Sequence, residues 1–97
     1  MIYRLYFPQF DNQGHKIYTK GYFEMLYKIT DGFTTYDGRG HWKGQTEDVT
    51  IVEIVRDGDT PNLEDLAVIE SVMRLFKSCE KQEAVFFTMS TGEGILL

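Results

Sequence analysis

The chain has 97 residues, a formal net charge of −5 and 42% hydrophobic residues, a size that suits one domain spanning 1–97. Its longest apolar runs, AVFF and VTIVEIV, fall far short of the roughly 18 residues of a spanning helix, and MIYRLYFPQF lacks the order of a secretion signal, so no membrane partner is expected. A single cysteine, Cys79, cannot form an internal disulfide, which fits a cytoplasmic location, and scattered basic residues argue against nucleic-acid binding.

IYRLYFP, from Ile2 to Phe7 and ending at Pro8, is rich in aromatic and β-branched residues and reads as a strand. QFDNQGHK is a turn with an exposed His15. From Thr19 to Thr30, Tyr22, Leu26 and Ile29 recur at helical spacing while Lys20, Glu24 and Lys28 mark another side. That helix is expected to stop at Gly32 in a left-handed C-cap.

FTTYDGRGHWKG starts as a strand and runs into glycines, and DVTIVEIVRD is the clearest strand in the chain; the two are expected to be antiparallel neighbours. Asn62 is a plausible N-cap with Asp65 three positions on, opening a helix with Leu66, Ile69, Met73 and Phe76 as its stripe and Val72 and Leu75 widening it. AVFFTMS is a last strand, and TGEG precedes an apolar tail, ILL.

The order strand, helix, strand, strand, helix, strand implies an α+β fold, a ferredoxin-like βαββαβ sandwich with one antiparallel sheet and both helices on one face. VTIVEIV and AVFF are apolar on both faces, so the second sheet face also calls for cover. A second copy of the chain is the simplest one, and a homodimer is expected; a bound apolar ligand or the C-terminal segment are the alternatives.

The chemistry is sparse. No His or Cys spacing suits a metal, the acids at 57, 59 and 65 lack the calcium-loop pattern, and no dinucleotide, P-loop or triad motif appears, so no cofactor is expected. Cys79 reads as a small hydrophobe near a helix C-terminus.

TTYDGRGHWKG holds the densest set of candidates. A bulged or bent strand explains its glycines. Strand alternation puts Tyr36, Gly38, Gly40 and Trp42 on one side and Asp37, Arg39 and His41 on the other. Arg39 can clamp an anion, Tyr36 and Trp42 can stack on a planar ligand, and His41 can act as an acid or base. Glu53 interrupts an apolar strand face and calls for a partner, with Arg39 or His41 the obvious ones.

TDGFTTYDGRGHWKG followed by VTIVEIV resembles the central segment of a family of small ferredoxin-like proteins of bacteria and phages. Gly32, Phe33, Thr34, Gly40, Trp42 and Gly44 carry the likeness. It implies the fold and a phage-type origin, and supplies no reaction.

The reading reached from sequence is a non-catalytic, homo-oligomeric module that binds a small anionic or planar ligand, or a host protein, through Tyr36, Arg39, His41 and Trp42, with host interaction or sequestering of a signal as its role. One rival is a dimeric α+β barrel enzyme in which His41 or Glu53 moves a proton or supports oxygenation on an apolar substrate. The other is an acidic interaction protein or nucleic-acid mimic using residues 45–73, which carry one Lys/Arg against eight Asp/Glu.

Overall fold

The computed structural model describes residues Met1–Leu97. In chain order it contains strand β1 (Ile2–Pro8), helix α1 (Lys20–Met25) continued by a 3₁₀ turn (Leu26–Lys28), strands β2 (Thr34–Trp42) and β3 (Gln45–Val55), helix α2 (Leu63–Cys79), and strands β4 (Phe86–Met89) and β5 (Gly94–Leu96). The strands form one antiparallel sheet in the order β2-β3-β1-β4-β5. No helix is long and apolar enough to cross a membrane.

Alternation along the strands divides the sheet into two faces. Tyr3, Leu5 and Phe7 of β1 stand opposite Ile54, Val52 and Thr50 of β3, and Tyr3 and Leu5 also face Met89 and Phe87 of β4. All of these except Thr50 meet Leu26 and Ile29 from the first helical segment and Ile69, Val72, Met73 and Phe76 from α2 in one buried cluster. Phe7 is the hinge of that core, its ring packing edge-on against Phe23 and Phe76 at centroid distances of 5.2 and 5.1 Å.

Helix α2 begins as its sequence predicts. The Asn62 side chain accepts from the backbone N–H groups of Glu64 and Asp65, satisfying two donors that the first turn leaves free. Asp65 then turns elsewhere: its carboxylate, buried in the protein, takes two hydrogen bonds from Arg56 at 3.0 and 3.3 Å. Leu75, expected to widen the buried stripe, is instead exposed.

Three local expectations are corrected. The first helix ends early, in a 3₁₀ turn over Leu26–Lys28, and Gly32 does not take a positive φ; the Ile29 N–H bonds to Leu26 O, and the Thr30 hydroxyl bridges the Gly32 backbone. Strand β2 is not bulged at its glycines, because its register with β3 runs unbroken from Thr34↔Glu53 to Trp42↔Gln45. The C-terminal tail does not cover the second sheet face; it turns at Gly92 (φ +96°) and returns as β5, an edge strand beside β4.

Gly38 and Gly40 are there for close approach. A Cβ on Gly38 would lie 2.8 Å from Ile51 Cδ1, and one on Gly40 would lie 3.4 Å from Glu47 Cγ. Side chains of β3 thus lean over the β2 backbone where nothing on β2 stands in their way.

Candidate functional site on the open sheet face

The second face of the sheet carries no helix, and its residues are laid out by register. Tyr36, Ile51, Tyr6, Phe86 and Leu96 stand opposite one another on successive strands, forming a row across all five. Tyr6 and Phe86 have ring centroids 5.3 Å apart, and the Phe86 ring lies over Gly94, 3.0 Å from where a Cβ would be. Tyr36, Trp42, Val55, Phe86 and Leu96, half of the large hydrophobic residues exposed in this chain, are all on this face. Isolated exposed apolar residues need no explanation, whereas a contiguous row of them marks a binding surface.

A polar row runs beside the apolar one: Thr34, Glu53, Arg4, Thr88 and Gly94. Arg4 Nε donates to Glu53 Oε1 at 2.8 Å, with both side chains partly exposed. The Glu53 carboxylate, and next the Tyr36 hydroxyl, raise the Arg4 pKa above its ordinary value. The site thus combines a fixed cation, a carboxylate and a phenol with a strip of aromatic surface. Further along the face, the carboxyl of Glu47 lies beside Gly40, and loss of surrounding water raises its pKa although much of the residue is exposed.

The residues singled out from sequence do not all come together. Tyr36 and Trp42 are on the open face, while Arg39 and His41 are on the opposite side of β2, as alternation predicts. There Arg39 pairs with Asp48 across the strands at 3.4 Å, and both side chains are largely exposed. Glu53 finds its partner on β1, in Arg4, rather than in Arg39 or His41. The reason is registry: Glu53 stands opposite Arg4 and Thr34, whereas Arg39 stands opposite Asp48 and His41 opposite Thr46.

Arg4, Tyr6, Glu47 and Phe86 were not singled out from sequence. The signal for the first was available: Arg4 interrupts IYRLYFP at the parity opposite to Tyr3, Leu5 and Phe7, as Glu53 interrupts VTIVEIV. Two opposite charges, each alone on a strand face, are a cross-strand pair in waiting.

No family model matches the chain, and no curated protein sequence matches it. Among solved structures, a phage SAM lyase in complex with S-methyl-5'-thioadenosine is similar at a TM-score of 0.72 and 16% identity, over 99% of this chain and 87% of that one. The apo state of a phage SAM lyase is similar at 0.68 and 16% identity, over 99% and 86%. This likeness overturns the expectation of a non-catalytic module: the fold shared along nearly the whole chain is one that serves as an enzyme.

Proposed function

We propose that this chain is a lyase acting on a sulfonium nucleoside of the S-adenosylmethionine type, releasing S-methyl-5'-thioadenosine. The observation that carries this reading is the pairing of an aromatic row with the Arg4–Glu53–Tyr36 cluster on the open face of a fold shared with a SAM lyase. Tyr6, Phe86 and Tyr36 offer flat surface for a purine, and Arg4 is placed to take a substrate carboxylate. Glu53, already bonded to Arg4, is placed to take an ammonium.

The chemistry asks little of general acids. Cleavage at the sulfonium carbon sends the C–S bonding pair to sulfur, leaving a neutral thioether. If the substrate's own carboxylate attacks that carbon, a C–O bond forms as the C–S bond breaks and no proton moves. The two substrate charges cancel as the transition state is reached, which an apolar, water-poor surface favours over bulk water. A closed site is therefore part of the reading, and a second copy of this chain laid on the open face supplies it, in line with the homodimer expected from sequence.

The strand order β2-β3-β1-β4 supports reading the architecture as a ferredoxin-like βαββαβ unit with β5 added at one edge. The resemblance of residues 30–55 to small phage and bacterial proteins supports a phage-type origin. The experiment is incubation of the purified chain with S-adenosylmethionine and chromatography of the products. S-methyl-5'-thioadenosine should accumulate with enzyme turnover, and Glu53→Gln should slow it by at least about ten-fold. No product above the spontaneous rate would remove the lyase reading.

A further inference from the structure

Strand β1 ends at Pro8, opposite Val49, so beyond that point β2 and β3 pair only with each other, residues 39–42 against 45–48. A two-stranded ribbon has little stability of its own in water. This one turns at Lys43 and Gly44 with φ of +49° and +76°, a two-residue turn whose first position favours Asn, Asp or Gly over Lys.

At its root, the Gln9 N–H donates to Asp48 O at 2.9 Å. At its tip, Lys43 Nζ meets Glu83 Oε1 at 2.6 Å, in the segment just before β4. Lys43, and to a smaller degree the Trp42 side chain, hold the Glu83 carboxyl below its ordinary pKa, and the Lys43 ammonium lies 5.7 Å from the Trp42 ring centroid. Because β3 and β1 separate β2 from β4, the ribbon must curl across the ends of two strands to make this contact. Burial follows the curl: on the open face Val49, at the ribbon's root, is 4% exposed, whereas Val55 at the other end of the same strand is 66% exposed.

We infer that residues 39–48 form a flap at one end of the open sheet face, latched by Lys43–Glu83 and carrying Trp42 as the residue that closes on a bound nucleoside. The second half of this inference rests on the lyase reading. Both partners of the latch are about two-thirds exposed, at 65% and 67%, so the pair biases the ratio of latched to free ribbon by no more than about five-fold. Both states are then populated, and a planar ligand stacked on the indole shifts the balance toward closure.

Trp42 is the only tryptophan, so its fluorescence in the intact chain reads the ribbon alone. Glu83→Gln and Lys43→Asn should each raise acrylamide quenching of Trp42 by about two-fold, and the reversed pair Lys43→Glu with Glu83→Lys should bring it back. Asn suits the turn better than Lys, so a looser Trp42 in that variant cannot come from a weakened turn. S-methyl-5'-thioadenosine should protect Trp42 in the parent and bind several-fold more weakly to Glu83→Gln. Unchanged quenching in both single variants overturns the latch, and a Trp42 that ignores S-methyl-5'-thioadenosine overturns its closing role. Protection of Trp42 without turnover of S-adenosylmethionine removes the lyase reading and leaves the flap standing.

Discussion

The two faces of the sheet are built from the same strands, yet their chemistry diverges residue by residue. Leu5, Phe7 and Phe87 point to the helices and are fully buried; their immediate neighbours Arg4, Tyr6 and Phe86 point the other way and keep contact with water. On the covered face a side chain is chosen for volume, because close packing leaves no room for error. On the open face the selection is for aromatic surface and paired charge, which contribute little to a single folded chain and a great deal to a ligand or a second copy. The packed face and the face of the proposed site are thus separated by a step of one residue along β1 or β4.

The sharpest way to break this comparison is the pair Phe87→Ala and Phe86→Ala. The first empties a fully buried site and should cost about 3–5 kcal/mol in denaturant unfolding. The second removes a half-exposed ring and should cost less than about 1 kcal/mol, while weakening nucleoside binding measured by calorimetry. Equal losses of stability would show that the open face is structural after all.

A second test takes the two least exposed ion pairs, one for each role. Asp65→Ala strands Arg56, which can still reach water, and should cost about 2 kcal/mol. Arg4→Ala on the open face, where the carboxylate partner is more exposed, should cost clearly less by the same unfolding measurement. Removing the α2 cap with Asn62→Ala should fall between the two, at about 1 kcal/mol.

The smallest effect separates two carboxylates near the ribbon. Glu83 is held below its ordinary value of 4.5 by Lys43, so its contribution is present above that value and lost as pH falls through the lower, folded one. Glu47 is raised by loss of water, so its contribution is present while it is protonated and lost as pH rises through its folded value. In an NMR titration of the two carboxyl carbons, Glu47 should take up its proton first on acidification and Glu83 last. Coincident midpoints would deny the latch its electrostatic basis.

Much of the frame was legible in the chain. Runs of aromatic and β-branched residues located β1, β3 and β4, and helical spacing located α2 with its Asn62 cap, because these signals are local and lie within a few residues of one another. The edge strand β5 was missed, since three residues of apolar tail carry no periodicity; only the partner strand β4 makes them a strand. Gly32 was misread for a related reason: a glycine after a helix suits a left-handed cap, but the first helix had already closed in a 3₁₀ turn.

By itself, then, the sequence determined which residues alternate and hence that Tyr36 and Trp42 part company with Arg39 and His41, because side-chain parity is a property of the extended backbone. It also carried the warning that the second face of the sheet is too apolar to be idle. Which residues meet across strands was decided only in three dimensions. Arg4 and Glu53 are 49 positions apart, and Lys43 and Glu83 are 40 apart. Their pairing depends on strand order, register and the curl of a ribbon, none of which is encoded in any single segment.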